Sequence, residues 1–239
     1  QYKKKIRLLF NSGLLMDGKL SDSDKLTRKM DKRIAEYFDF KYQLDDFQLS
    51  GVTLVTDINV GDYERKTAYL KVLKRIGRVK GFSPVNYEGF DERVSFCLEG
   101  NSNGIAFLLY DWEDTLMNRL KQTGARRKEL KSVAEKTEGV LRAEVRLAKP
   151  KAIRAYAKSA DISKQIRELT EKSKEIFMDT FTHIIPFGSF YKKDRATEII
   201  YREVEDHVLR RKMLRLLELI PEKKSLYLAQ KTMDCRNMD

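Results

Sequence analysis

Cysteine, histidine and long apolar runs are scarce in this sequence of 239 residues, and each scarcity excludes a class of protein. The two cysteines, Cys97 and Cys235, lie far apart, so neither a disulfide framework nor a closely spaced thiolate metal site is expected. The two histidines, His183 and His207, fall in a region with a helical pattern and are not expected to bind metal. No apolar run approaches the roughly 20 residues of a membrane-spanning helix. We therefore expect a cytoplasmic protein with no membrane partner.

Positive charge is plentiful and unevenly distributed along the chain. The net charge is +12, and residues 119–158 contain 13 lysines and arginines against four glutamates. Residues 71–80 add five basic residues and no acid. Concentrated positive charge attracts polyphosphate, whose counterions are released on binding. A solvated helix face and an anionic membrane surface are alternatives, but no strongly amphipathic membrane helix accompanies the charge. We expect the phosphates of nucleic acid to be contacted by Lys71, Lys74, Arg75, Arg126, Arg127, Lys128 and Lys131.

Strand patterns occur in the first two thirds of the chain. Residues 52–60 and 140–147 alternate with a period of two, as half-buried strands do. Residues 93–98 and 104–112 flank a cluster of Gly, Asn and Ser, which is typical of a hairpin turn. Residues 6–10 form a further short apolar segment. The pattern therefore predicts five strands, two of them joined as a hairpin.

Helical patterns surround these segments and fill the rest of the chain. Apolar residues at helical spacing predict helices over residues 21–37, 62–76 and 114–136. After Pro150 the pattern is wholly helical and includes one long helix over about residues 194–219, which Pro221 ends.

The order of these elements predicts an α+β protein. An antiparallel sheet backed by helices is expected over residues 1–149, followed by an all-helical C-terminal part over residues 150–239. No internal repeat or low-complexity linker separates the two parts.

Three of the predicted strands carry a polar residue that a simple core strand would not need. Asp57 interrupts VTLVTDINV, Tyr110 and Asp111 end IAFLLYD, and Glu144 lies between two arginines in VLRAEVRL. Because adjacent strands lie about 4.8 Å apart, residues at matched heights can converge, and the two acids could share Mg²⁺ or Mn²⁺. Each residue alone has a simpler interpretation: a solvent-facing aspartate, a core tyrosine and a ladder of paired charges.

The runs TLVTDINV, GIAFLLYDWEDTLMNRL and GVLRAEVRL, in this order over roughly residues 50–150, resemble the filamentous-phage gene II/X replication initiators and related plasmid proteins. Members of that family are rolling-circle nicking enzymes. The resemblance implies that Tyr110 is the nucleophile and that Asp57 and Glu144 bind the metal ion. Glu99, in the hairpin before the tyrosine strand, is a weaker ligand candidate.

Further roles follow from the same resemblance. Glu113 matches an acid that follows the family's tyrosine, and Arg142 and Arg146 would lie near phosphates. Trp112 stands where family members often have a lysine, which could lower the pKa of the phenol and hold the scissile phosphate. The paired-histidine strand of many rolling-circle enzymes is also missing, so any metal site must be made of oxygen ligands.

The expected function is therefore metal-assisted nicking and rejoining of a single-stranded or melted replication origin through a covalent phosphotyrosine. A host helicase or polymerase is a further candidate partner. Two alternatives remain open at this point. One is a non-catalytic DNA-binding initiator or regulator, and the other is a metal-dependent nuclease that uses water, in which Tyr110 is structural.

Overall fold

A computed structural model describes residues 6–16, 22–122, 124, 127–185 and 191–235. The described strands are β1 (Val52–Asn59), β2 (Phe82–Pro84), β3 (Ser95–Gly100), β4 (Ile105–Asp111) and β5 (Val140–Leu147). They form one antiparallel sheet in the order β1-β5-β4-β3-β2. With helices before, between and after the strands, the protein is α+β, which confirms the predicted class.

Along the chain, the described helices lie before, between and after these strands. They are α1 (Ser12–Leu15), α2 (Ser23–Tyr37), α3 (Tyr63–Lys74), α4 (Trp112–Gln122), α5 (Arg127–Thr137), α6 (Pro150–Tyr156), α7 (Ile162–Glu171), α8 (Ser173–Ile184), α9 (Lys193–Glu203), α10 (His207–Lys223) and α11 (Leu226–Cys235). Asp22 and Asp62 cap α2 and α3 by accepting a hydrogen bond from the backbone three residues on. This is why each helix begins close to its predicted position.

Strands β3 and β4 form the predicted hairpin and the centre of the sheet. Ser95 lies opposite Tyr110, and Cys97 lies opposite Leu108. Every residue of β4 is buried, because both faces of the sheet are covered there. One face of β3 and β4 packs Cys97, Leu108 and Tyr110 against a cluster of partly buried side chains, Val85, Tyr87, Phe90 and Trp112. Phe107 points to the other face, where its ring lies 5.9 Å from that of Phe181.

Two predicted helices are each two helices in the structure. Residues 114–136 contain α4 and α5, with Gly124 in the left-handed region (φ 73°) between them. Residues 194–219 contain α9 and α10, because Asp206 accepts hydrogen bonds from the backbone of Val208 and Leu209 and so begins a new helix. In residues 194–219 the apolar spacing continues across the break through Ile200, Val204 and Val208, so the pattern did not reveal it. In residues 114–136 the apolar residues stop at Leu120 and resume at Leu130, and Gly124 between them was the signal of a break.

Two other predictions are wrong. Residues 6–10 are not a strand, because Leu8 and Phe10 pack against an apolar cluster of helices instead of pairing with the sheet. Pro221 does not end its helix but lies inside the last turn of α10, where its missing N–H removes one helical hydrogen bond and the helix ends two residues later, at Lys223. The structure also adds β2, which with three residues is too short to show an alternating pattern.

The chain divides into two compact units, and each unit joins two separate segments. The first contains residues 1–52 and 147–176 and is built on a buried cluster of Met16, Leu26, Met30, Ile34, Leu44, Ile162 and Ile166. The second contains residues 53–146 and 177–239 and includes most of the sheet. This division does not coincide with the predicted boundary at residue 149, because α7 packs with α2. Within the part of the chain that the structure describes, no helix is long and apolar enough to cross a bilayer.

Candidate functional site

Three neighbouring strands bring Tyr110, Glu144 and Asp57 to one face of the sheet. The Tyr110 hydroxyl donates a hydrogen bond of 2.5 Å to Oε1 of Glu144. Arg146 donates to Oε2 of the same carboxylate at 2.9 and 2.7 Å. Arg142 donates to both oxygens of Asp57 at 2.6 and 2.7 Å, across strands β5 and β1. These five residues are called the tyrosine cluster below.

Aromatic rings cover the tyrosine cluster. Tyr110 is 1% exposed, and its ring meets that of Phe90 edge-on at 4.6 Å. The guanidinium group of Arg142 lies 3.5 Å from the centre of the Trp112 ring, in a cation–π contact. Trp112 therefore holds Arg142 beside Asp57.

The charges of the tyrosine cluster balance while the phenol is neutral. Burial raises the pKa of Tyr110, and the hydrogen bond to Glu144 and the charge of Glu144 raise it further. Burial acts to lower the pKa of Arg142, but its hydrogen bonds and attraction to Asp57 outweigh burial, so the pKa is raised. Two guanidinium groups thus face two carboxylates, and Tyr110 is a neutral hydrogen-bond donor at neutral pH.

The carboxylates of the tyrosine cluster do not fit a metal ion as they stand. The oxygens of Asp57 and Glu144 already accept hydrogen bonds from guanidinium groups or the phenol. Glu99 is exposed and lies opposite Ala106, four residues along β4 from Tyr110, which is about 14 Å of strand. Among the described residues, no group of three His, Cys, Asp or Glu side chains is placed to hold a metal ion. The charges of the two acids are therefore balanced by the guanidinium groups of Arg142 and Arg146.

Glu113 belongs to a second charged cluster, which lies away from Tyr110. The Lys66 ammonium group is 2.9 Å from Oδ1 of Asp111 and 3.0 Å from Oε2 of Glu113. Asp111 follows Tyr110 in β4, so the two side chains point to opposite faces of the sheet. Lys66, Asp111 and Glu113 are called the lysine cluster below. The structure therefore separates Glu113 from the tyrosine whose chemistry it was expected to assist.

Lys66 is the central residue of the lysine cluster, and the sequence prediction missed it. It is fully buried; burial acts to lower its pKa, but hydrogen bonds and attraction from Asp111 and Glu113 outweigh burial and raise it. The sequence did contain a signal. Lys66, Leu70 and Leu73 share one face of α3 at helical spacing and are all buried. A lysine on the apolar face of a helix indicates a buried acidic partner.

The basic residues expected to bind DNA lie in several places. Lys71 and Arg75 are exposed on and just after α3. Lys74 is partly buried, donates to the backbone carbonyl of Glu92, and has a pKa lowered by burial. Lys131 is exposed in α5 and lies 3.9 Å from Glu135.

The side chains of three predicted DNA-binding residues are not described. Arg126 lies outside the described residues, as do the side chains of Arg127 and Lys128 in α5. Arg142 and Arg146 are in the tyrosine cluster and are paired with carboxylates.

Comparison of the chain with protein-family models, with curated proteins and with solved structures gives no match. The functional interpretation therefore depends on the geometry of this chain.

Proposed function

We propose that this protein nicks and rejoins single-stranded DNA during rolling-circle replication, with Tyr110 as the nucleophile. One observation carries the proposal: the hydrogen-bonded series of Tyr110, Glu144 and Arg146. A hydroxyl nucleophile, a base within hydrogen-bond reach and a third group that orients the base are the recurring parts of nucleophilic sites. The DNA substrate is a single-stranded or melted origin.

The reaction needs one proton acceptor and one phosphate. As the Tyr110 hydroxyl oxygen attacks phosphorus, the new O–P bond forms and the bond from phosphorus to the 3′ oxygen breaks. Glu144 takes the phenol proton and returns it to the 3′ oxygen. The products are a 5′-phosphotyrosine and a free 3′ hydroxyl, which can prime synthesis. Attack by a 3′ hydroxyl on the phosphotyrosine reverses these steps and rejoins the strand without ATP.

Arg142 and Arg146 are suited to hold the scissile phosphate. Each guanidinium group binds a carboxylate in the structure. The same planar pair of N–H donors can bind a phosphate in place of the carboxylate. Their side chains are 20% and 30% exposed, so both are partly accessible to an anion. Positive charge at this point stabilises the charge that develops on the phosphate oxygens. Because the guanidinium groups and the Tyr110 phenol already occupy the carboxylates of Asp57 and Glu144, the proposed reaction has no step through a metal ion.

Attack on DNA requires that the Tyr110 hydroxyl be uncovered. Phe90, whose ring covers Tyr110, lies in the segment between β2 and β3. Gly89 in that segment has φ 86°, and nothing lies within 4 Å of the position of a Cβ atom there. Displacement of this segment is the simplest way to open the site, because it moves Phe90 without disturbing the sheet.

A second function, a non-catalytic DNA-binding initiator or regulator, is favoured by a different observation. Tyr110 is buried, its pKa is raised, and its hydroxyl is satisfied by Glu144. A tyrosine in these surroundings also serves as a structural donor in a packed core. Exposed basic residues such as Lys71, Arg75 and Lys131 would then bind DNA without cutting it.

A covalent-adduct assay separates the two functions. The full chain is incubated with internally labelled single-stranded DNA of random sequence, in parallel with Mn²⁺ and with a chelator, and resolved under denaturing conditions. We expect a labelled protein band that Tyr110→Phe abolishes and that Tyr69→Phe, which removes an exposed hydroxyl from α3, retains.

Each of the other possible results of this assay would contradict a different part of the proposal. An equal band from Tyr110→Phe would show that Tyr110 is not the nucleophile. Salt-dependent DNA binding with no band under either condition would favour the non-catalytic function. A band with Mn²⁺ that the chelator removes would show that the reaction needs a metal ion and that the metal-free scheme is wrong.

A further inference from the structure

An open groove of about 430 Å³ lies along helices α9 and α10, in the C-terminal part of the second unit. It is distinct from the tyrosine cluster and shares no residue with it. Its lining includes one exposed aromatic ring, one histidine, three arginines and one acid, namely Tyr201, His207, Arg210, Arg211, Arg215 and Glu218.

The geometry of α10 gathers these cations. His207, Arg211 and Arg215 follow one another at intervals of four residues, which puts them on one face of the helix. Asp206 fixes the start of this helix by capping the backbone N–H groups of Val208 and Leu209 at 2.7 and 2.8 Å. Tyr201, at the end of α9, contributes its ring to the same groove.

The arginines of the groove are only partly satisfied by the protein. Nε of Arg210 donates to the backbone carbonyl of Val204 at 2.8 Å, and its guanidinium group lies 5.7 Å from the centre of the Tyr201 ring. Arg215 pairs with Glu218 at 2.8 Å. Arg211 makes no hydrogen bond or ion pair with any described residue. Three guanidinium groups against one carboxylate leave the groove with a net charge of +2, apart from His207.

We propose that this groove binds a single strand of DNA, with a base stacked on Tyr201 and phosphates bound by Arg211 and Arg215. Tyr201 is 57% exposed, and its ring lies beside the guanidinium group of Arg210. Aromatic rings next to a basic groove are the recurring means of holding unpaired nucleotides. Guanidinium forks bind phosphate oxygens through pairs of charge-assisted hydrogen bonds.

The exposed ring favours a single strand over a duplex. The bases of a duplex are stacked on one another, so their faces are not available to Tyr201. An unpaired base can leave its neighbours and stack on the ring. The inference takes from the proposed function only the choice of DNA as the nucleic acid, and it would supply a contact to the strand outside the nicking site.

The test measures binding of a labelled oligothymidylate of about 16 nucleotides to the full chain by fluorescence anisotropy. We expect Arg211→Ala and Tyr201→Ala each to raise the Kd by about tenfold. Binding by Arg211→Ala should also depend less on salt. The slope of the logarithm of the association constant against log salt should become less negative by about 0.7, the value for one phosphate contact of a single strand. Tyr201→Ala should leave that slope unchanged, and Tyr201→Phe should retain the affinity.

Lys212→Ala is the matched control, because it removes a positive charge next to Arg211 from an exposed position that does not line the groove. We expect it to change neither the Kd nor the salt slope appreciably. Equal losses from Lys212→Ala and Arg211→Ala would overturn the proposal, since only the net charge of the helix would then matter. An unchanged Kd for Tyr201→Ala, or an equal loss of duplex binding in that variant, would also overturn it.

These outcomes are independent of the adduct assay. If no adduct forms but the variants differ as expected, the nicking function is wrong and the strand-binding groove stands. If an adduct forms while the groove variants bind normally, the groove proposal is wrong and nicking stands.

Discussion

Two charged clusters lie on opposite faces of the sheet, at Tyr110 and Asp111 of β4. They differ in how accessible their cations are to solvent. The lysine cluster holds one fully buried ammonium group between Asp111 and Glu113. The tyrosine cluster pairs two guanidinium groups with two carboxylates, and its outermost member, Asp57, has a side chain that is 47% exposed. The first cluster has no accessible cation, whereas the second has two cations that an incoming anion can reach.

This difference predicts different responses to substitution. Removal of one partner from a buried ion pair leaves a charge that neither water nor protein neutralises. Removal of one partner from a partly exposed pair leaves a charge that water can solvate. The lysine cluster should therefore maintain the fold, and the tyrosine cluster should tolerate changes that alter binding.

The largest effect is expected for Lys66→Met. The methionine fills most of the space of the lysine stem but leaves the carboxylates of Asp111 and Glu113 without their shared cation. We expect the free energy of unfolding to fall by about 3–5 kcal/mol. Urea denaturation followed by circular dichroism measures the change.

Lys71→Met is the control for this substitution, because Lys71 is exposed on the same helix. It should change the free energy of unfolding by less than about 0.5 kcal/mol. If Lys66→Met were as stable as this control, the lysine cluster would not be a structural centre, and the contrast between the two faces would fail.

The free energy of unfolding should fall at alkaline pH, and both clusters should contribute to the fall. The ordinary pKa values are 10.0 for Tyr110 and 10.5 for Lys66, and both are raised in the folded protein. The folded state therefore keeps protons that the unfolded chain releases, so stability falls as the pH rises above about 10. Each group contributes a slope of at most about 1.4 kcal/mol per pH unit in this window.

Variants separate the two contributions. Tyr110→Phe and Lys66→Met should each make the decline of unfolding free energy above pH 10 shallower than in the wild type. Burial also raises the pKa of Cys97, from 9.0 to about 11, so part of the decline should remain in both variants. A variant whose decline matched that of the wild type would show that the group it removes does not titrate differently on folding.

Much of the sheet could be predicted from the sequence, because its strands obey a local rule. Alternating polarity located β1 and β5 nearly to the residue, and a turn cluster located the β3–β4 hairpin. The short β2 and the breaks at Gly124 and Asp206 escaped prediction, since each depends on one or two residues rather than on a pattern.

The sequence prediction included the five residues of the tyrosine cluster, but it also included Glu99 and Glu113, which lie elsewhere, and it did not predict the hydrogen bonds. Alternation correctly put Asp57, Tyr110 and Glu144 on strands. It could not show that Arg142 binds Asp57. Strands β1 and β5 are eighty residues apart in the chain, so their register depends on the folded structure and not on a local pattern. Nor could it show that Glu113 turns away to Lys66, because α4 begins directly after Asp111 and redirects the chain.

A small effect on stability is expected for Asp57→Asn in the tyrosine cluster, in contrast to Lys66→Met in the lysine cluster. The amide keeps the shape of the carboxylate but removes its charge, and the exposed position allows water to solvate Arg142. We expect the free energy of unfolding to fall by less than about 1 kcal/mol. Because Arg142 is then released from a competing anion, affinity for the oligothymidylate should rise in the same variant. A loss of stability as large as that of Lys66→Met, or weaker DNA binding, would mean that Asp57 is a structural partner of Arg142 and that this arginine does not exchange a carboxylate for a phosphate.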